Sequence, residues 1–318
     1  MTTLAKPVVF IPDPISQVGL DALTPHCDCV APWLQGQASA EIPVEAAAIM
    51  VRTYSVDARR IAAAPHLRVI AKHGVGIDNI DVAAATARGI PVLWTPEANA
   101  DAVAQHTLAL ILGLANRLME ADAALRAGKF LERLHLGSVE LTHRVLGIIG
   151  LGRIGGRVAR RAVVGLGMEV IAYDPYVDDG GPATLVDELE QLLARADVVT
   201  LHVPLTPETR GMINATTLAH LKPEAFLVNT SRGGAIDEQA LCQALAAGRL
   251  AGAGLDVYAD EPPAADHPYL SAPRVLLTPH VAGLSDQALV RVATEASQGI
   301  LDVLQGRRPA SPVNPEVL

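Results

Sequence analysis

Cysteine is scarce in this chain: Cys27, Cys29 and Cys242 are the three among 318 residues. They make no disulfide framework, and such usage fits a reducing cytoplasm. Cys27-x-Cys29 does not have metal-ligand spacing, and no histidine pair completes a site, so no metal is expected. Basic blocks are missing too. The formal net charge is −9, which argues against a general nucleic-acid partner. The longest apolar run near a helix, Thr107 to Ala115, is far short of the roughly 20 residues of a membrane span. Met1 to Pro7 leads into no apolar h-region of a signal peptide. Internal repeats and low-complexity segments are absent. What these absences leave is a soluble cytoplasmic protein with no membrane partner. Half of its residues are hydrophobic, enough for a large core, and its length suggests about two domains.

What the chain does have is Val145-Leu146-Gly147-Ile148-Ile149, an apolar run of strand type, followed by Gly150-x-Gly152-x-x-Gly155 and a helical stretch. Strand, glycine turn and helix in that order are the context a dinucleotide fingerprint requires. Gly150 allows the tight turn, Gly152 lets backbone approach a pyrophosphate, and Gly155 lets the helix lie close to its strand. The unpaired first-turn N–H groups and the helix dipole favour an anion there. A second strand ends at Asp174, about two dozen residues after Gly150. An acid there accepts hydrogen bonds from ribose hydroxyls and repels a 2′-phosphate, which favours NAD over NADP. Asp174 is equally the first residue of an Asp-Pro turn.

Around this stretch, strands alternate with helices, the pattern of an α/β protein with parallel sheets. A first, five-strand pattern includes Val8–Ile11, Ala46–Val51, Leu67–Ala71 and Ile90–Trp94, with helices at 16–23, where Ser16 is the N-cap, and 82–88. The segment 99–125 keeps a helical period without proline and predicts one long helix, either linking domains or subunits or lying in a core. A second series follows, with strands at 145–149, 170–173, 198–201, 226–228, 252–257 and 275–277. Its helices fall at 154–164, 186–194, 215–220 and 238–247. Six such strands make a doubly wound nucleotide-binding domain. The last helix, 286–304, is expected to return to the first domain. The domains are therefore 1–98 plus 284–318, and an inserted 99–283.

Three segments just after strands of the second domain carry chemistry. In Asn229-Thr230-Ser231-Arg232-Gly233-Gly234, the guanidinium of Arg232 can fork two hydrogen bonds onto a carboxylate and keeps its charge. A surface salt bridge is the other reading of that arginine. In Thr278-Pro279-His280-Val281-Ala282-Gly283, His280 is either structural or the acid/base that carbonyl reduction needs near neutral pH. In Asp256-Val257-Tyr258-Ala259-Asp260-Glu261-Pro262, Glu261 would favour a protonated imidazole and orient the ring.

With Lys72-His73-Gly74-Val75-Gly76-Ile77-Asp78-Asn79 and the fingerprint, these make five ordered motifs. Together they resemble the NAD-dependent D-2-hydroxyacid dehydrogenase family, especially its D-3-phosphoglycerate dehydrogenase-like branch, over nearly the whole chain. The resemblance implies a flavodoxin-like substrate domain and a Rossmann NAD-binding domain with a cleft between them. It implies Arg232 as substrate anchor, His280 as acid/base and Glu261 as its partner, with Val75 and Gly76 offering backbone N–H groups to the substrate carboxylate. Implied cofactor contacts are Gly150, Gly152, Arg153, Ile154, Gly155, Asp174, Val203, Thr230, Ser231, Asp256 and Gly283, with His202-Val203-Pro204 on the adenosine side. It further implies a homodimer held by the long helix and its following loop. Glu140-Leu141-Thr142-His143-Arg144 and Gln105 depart from the family's usual residues, away from the chemistry. The regulatory domains of longer relatives, and serine feedback through them, are not expected.

The expected reaction is reversible reduction of a 2-oxo acid to a 2-hydroxy acid. Arg52, after a first-domain strand, suits an anionic substrate tail or is a plain surface charge. Phosphoglycerate, sulfolactate, glyoxylate or hydroxypyruvate, and a D-lactate-type acid stay open as substrates. An NAD(H)-sensing co-repressor-like role is the alternative class. Formate-dehydrogenase-like chemistry is disfavoured, because it wants glutamine rather than Glu261 beside the histidine.

Overall fold

The computed structural model describes residues 6–37 and 41–318. The start of the chain that bears on a signal peptide, residues 1–5, lies outside them. Two compact units emerge, one ending at Asn99 and resuming over Leu284–Leu318, the other Ala100–Gly283.

The first unit is built on five strands, β1 (Val8–Phe10), β2 (Asp28–Val30), β3 (Ala46–Val51), β4 (Val69–Lys72) and β5 (Val92–Leu93). They run parallel in the order β2-β1-β3-β4-β5, the flavodoxin-like order. Apolar residues alternate between two cores, because both faces of the sheet are covered. Ile49, Val51 and Phe10 pack with Ile61 and Ala85 on one face. Val9, Ala48 and Met50 pack with Leu20, Leu23, Ile300 and Leu301 on the other. The last two belong to helix Asp286–Leu304, capped by Ser285, which lies in this unit. Beyond it the tail covers the edge strand: Val313 N–H donates to the Val92 carbonyl at 2.7 Å, and Asn314 Oδ1 accepts from Val92 N–H at 2.7 Å. Ser16 occupies the N-cap position of helix Gln17–Leu23, but its hydroxyl makes no capping bond.

The second unit has seven parallel strands, β6 (Val145–Ile149), β7 (Glu169–Tyr173), β8 (Thr184–Leu185), β9 (Val198–Leu201), β10 (Phe226–Asn229), β11 (Gly252–Leu255) and β12 (Val275–Leu277). Their order is β12-β11-β10-β9-β6-β7-β8, a Rossmann order with one further strand at the edge. The two-residue β8 escaped the sequence reading because it is too short for an alternation to appear. A second correction concerns the long helix. It is two helices, Ala100–Ala115 and Leu118–Arg126, separated where Arg117 adopts a left-handed conformation with φ 51. The Arg117 guanidinium holds the break through Glu120 and the His135 carbonyl, each at 3.3 Å. Apolar spacing runs on through the break because Leu118, Met119 and Leu125 keep the pattern while lying exposed. Among the described residues no helix is long and apolar enough to cross a membrane, and no group of three or more metal-ligating side chains occurs.

Candidate active site

The second unit gathers its polar side chains at the carboxyl ends of its strands, where open α/β sheets bind ligands. After β6 the chain turns at Gly150 with φ 90. A Cβ on Gly150 would lie 2.7 Å from the His202 carbonyl oxygen and 2.9 Å from Val203 Cγ1; one on Gly155 would lie 2.1 Å from the Gly150 oxygen. A Cβ on Gly152 would meet no protein atom within 4 Å, so packing inside the chain does not account for that glycine. Gly152 is also the N-cap of helix Arg153–Leu166 and makes no side-chain cap, and the dipole at such a helix start favours an anion.

Asp174, at the end of β7, grips this turn. Its Oδ2 accepts from Leu151 N–H at 2.8 Å and its Oδ1 from Tyr176 N–H at 2.9 Å. It is thus both turn former and brace, and each oxygen keeps a lone pair for a further donor. Across the turn, His202 pairs its Nε2 with Thr200 Oγ1 at 3.1 Å, while its Nδ1 is sealed from solvent without a partner. Burial pushes this imidazole down to about 3, so it is neutral. Pro204 follows, its carbonyl accepting from Thr209 Oγ1 at 2.6 Å.

The loop after β10 is organised by Asn229, to which sequence reasoning gave no role. Its Oδ1 accepts from Ser231 N–H and Oγ–H at 2.9 and 2.8 Å, and its Nδ2 donates to the Arg232 carbonyl at 2.9 Å. Thr230 and Ser231 are only 7% and 8% exposed, and the Thr230 hydroxyl meets Thr107 Oγ1 at 2.9 Å. Both hydroxyls therefore brace the loop. Gly233 lies hard against the next loop, since a Cβ there would fall 1.9 Å from the Tyr258 carbonyl carbon. Arg232, half-buried between them, donates from Nη1 to the Ser231 carbonyl at 2.7 Å.

His280 sits beyond β12 with φ 53, its N–H bonded to the Asp256 carbonyl at 2.8 Å. Its Nδ1 lies 2.6 Å from Glu261 Oε2. Burial opposes charge on Glu261, but the His280 hydrogen bond and charge, the Tyr258 N–H and the Arg232 charge outweigh it and hold the carboxyl below its usual range. Glu261 is therefore the acceptor near neutral pH, the proton of the pair sits on Nδ1, and Nε2 remains for other chemistry. The Asp256 carboxylate is fully buried. It accepts from Thr278 Oγ–H at 2.6 Å, Val281 N–H at 2.9 Å and Ala282 N–H at 2.9 Å. It holds the loop that carries His280 and ends at Gly283.

The first unit has its own polar cluster after β1, β3 and β4. Asp13, 7% exposed, accepts at Oδ2 from the N–H groups of Arg52, Thr53 and Tyr54 at 2.7, 3.0 and 3.0 Å. Lys72 Nζ donates to the Arg52 carbonyl at 2.6 Å and to Asn79 Oδ1 at 2.5 Å. The Gly74 carbonyl accepts from Thr95 N–H at 3.0 Å, fixing the start of the turn that carries Val75 and Gly76. Arg52 itself is half-buried.

Residues 108–282 match the family model described as "D-isomer specific 2-hydroxyacid dehydrogenase, NAD binding domain". A glyoxylate reductase of Thermofilum pendens is 37% identical over 99% of this chain and 96% of its own length. This chain belongs to the D-isomer-specific 2-hydroxyacid dehydrogenase family. A D-3-phosphoglycerate dehydrogenase of Mycobacterium leprae is 41% identical over 97% of this chain, which spans 59% of the length of that relative. The crystal structure of the TT0316 protein from Thermus thermophilus superposes with a TM-score of 0.88 at 36% identity, covering 96% of this chain and 99% of that one.

The family's NAD-binding domain falls within the second unit, and the turn fits the cofactor's pyrophosphate on its own geometry, through the open Cβ direction of Gly152 and the uncapped helix start. Several of the bracing side chains, Asn229, Asp13 and Thr107 among them, were given no role by sequence reasoning. Polar residues at strand ends look like turn formers until their partners, distant in sequence, are known.

Proposed function

We propose that this chain interconverts a 2-oxo acid and a D-2-hydroxy acid with NAD(H). The observation that carries the reading is the 2.6 Å Glu261–His280 pair, standing beside the Arg232 loop in a unit with a dinucleotide turn. Bound NADH supplies the hydride in reduction, and NAD accepts it in oxidation. His280, oriented through Nδ1 by Glu261, gives a proton from Nε2 to the carbonyl oxygen, or as neutral imidazole takes the hydroxyl proton back. Arg232 anchors the carboxylate and stabilises the developing oxyanion, an effect of about 3 kcal/mol by analogy with an oxyanion-hole donor. To Val75 and Gly76 we assign backbone N–H donation to the same carboxylate, and to Arg52 the reading of an anionic tail. Asp174 favours NAD over NADP.

The test is NADH oxidation with 2-oxo acids bearing and lacking anionic tails, in the wild type, Arg52→Ala and His280→Ala. Preference for a phospho-, sulfo- or dicarboxylic acid that collapses in Arg52→Ala supports the tail role. A glyoxylate or hydroxypyruvate preference untouched by that change makes Arg52 a bystander. His280→Ala should abolish turnover and leave NADH binding nearly intact; equal loss of both sinks its assignment as acid/base.

We also propose a homodimer. Leu118, Met119, Phe130, Leu131 and Leu134 are each more than half exposed in and after the second half of the broken helix, an apolar run that a second copy of this chain would cover. Leu131→Glu with Leu134→Glu should yield monomers in sedimentation, and an unchanged wild-type monomer would refute the proposal. The three free thiols are in keeping with a cytoplasmic location.

A further inference from the structure

We infer that His106 is a positioning residue for the reaction, and that together with Thr107 it ties the Arg232 loop and the His280 loop to one turn of one helix. This rests on the function proposed above. The direction of each hydrogen bond follows from counting protons. Thr278 has one hydroxyl proton, and the fully buried Asp256 carboxylate takes it at 2.6 Å. The Thr278 oxygen can then only accept from His106 Nε2, 3.0 Å away, so His106 carries its proton on Nε2. Donation runs from His106 through Thr278 to Asp256, which also receives Val281 and Ala282 N–H. His106 Nε2 lies 3.6 Å from the same Asp256 oxygen. One residue on, Thr107 gives its proton to the Val103 carbonyl at 2.9 Å, so the Thr230 hydroxyl donates to it, also at 2.9 Å.

The consequence lies in backbone strain. His280 is a non-glycine residue at φ 53, a conformation that persists only where the surroundings over-determine it. Its N–H on the Asp256 carbonyl and the next two N–H groups on the Asp256 carboxylate supply that constraint. His106 completes the set from helix Ala100–Ala115, whose Leu110 and Ile111 are buried in the core with Val228. A rigid helix presenting adjacent residues to two loops fixes the distance between the groups those loops carry. His106 is 22% exposed at its side chain, so filling the core does not account for it.

The test compares His106→Leu, which deletes the donor, with His106→Gln, whose amide nitrogen reaches the Nε2 position. Amide hydrogen exchange is read without substrate. In His106→Leu, Val281 and Ala282 should exchange about tenfold faster while the amides of β6 keep their protection. Turnover should fall at least about tenfold with the NADH dissociation constant within about twofold. His106→Gln should restore both readouts. If His106→Leu fails to fold, His106→Asn, too short to reach Thr278, takes its place. Wild-type exchange and turnover in the leucine variant overturn the inference, as does a glutamine variant as impaired as leucine. A wild type that turns over no 2-oxo acid refutes the function proposed, while the exchange comparison still decides the brace.

Discussion

Acid should weaken the first unit through one imidazole. His73 is 4% exposed. Burial first, then the positive charges of Arg52 and Lys72, push its pKa from 6.5 down to about 4, against the opposing pull of Asp13. A base held neutral in the fold takes up its proton only on unfolding. The unfolded chain therefore binds more protons below pH 6.5, stability falls as pH drops through that value, and the loss levels off below about 4. Between pH 7 and pH 5 the difference comes to about 2 kcal/mol. Both tryptophans, Trp33 and Trp94, belong to the first unit, so tryptophan fluorescence during urea unfolding isolates it. The neutral His202 of the second unit contributes nothing to that signal. Glutamine at position 73 keeps polarity and approximate volume but cannot take a proton. The gap between unfolding free energies at pH 7 and pH 5 should therefore shrink by about 2 kcal/mol in His73→Gln relative to wild type. An unchanged gap would refute the idea that His73 is held neutral by its surroundings.

Other expectations follow from the second unit. Glu261→Gln keeps a hydrogen-bonding side chain but removes the charge that orients and stabilises protonated His280, so turnover should fall about a hundredfold with NADH affinity preserved. Because the Glu261 pKa is lowered, its pairing with His280 is complete above the ordinary carboxylate range and is lost as pH falls through the lowered value. In the direction of 2-oxo-acid reduction, where protonated His280 is the active form, a wild-type acid limb lying above that ordinary range would contradict the pairing. Two of the three fingerprint glycines should separate by assay. Gly155→Ala forces a Cβ to 2.1 Å from a backbone oxygen and should cost about 1–3 kcal/mol of stability along with NADH binding. Gly152→Ala meets no protein atom and should leave the thermal midpoint alone while weakening NADH; a drop in midpoint equal to that of Gly155→Ala would count against a ligand in that space.

Much of this architecture was legible because its signals are local. A buried parallel strand is a short apolar run, and the glycine turn stands next to its strand and helix, so β6, Gly150 and Asp174 could be read within one window. The Arg232 and His280 segments were visible for the same reason, as polar residues straight after apolar runs. What failed was either too short or depended on distant partners. Strand β8 has two residues. The break at Arg117 is invisible to periodicity, because exposed Leu118 and Met119 continue the spacing that buried Leu110 and Ile111 began. Whether an apolar residue faces a core or stays exposed is a tertiary fact.

Asp13 and Asp256 show how the two units solve one problem in the same way. Each follows a strand, β1 or β11, and each accepts N–H groups from the loop after the neighbouring strand, β3 or β12. A loop at a strand's end has no ladder to satisfy its N–H groups, and leaving several unpaired out of water would be costly. One buried carboxylate satisfies two or three at once, and those donors stabilise its charge. Burial raises the pKa of Asp13, but the hydrogen bonds from Thr53, Tyr54 and Arg52 more than reverse it and leave the group below its ordinary value. The loops so fixed are those carrying Arg52 and His280. Neither aspartate offers a free charge; their contribution is geometric. It places the chemistry of each unit in a loop whose backbone is held as firmly as the strands beside it.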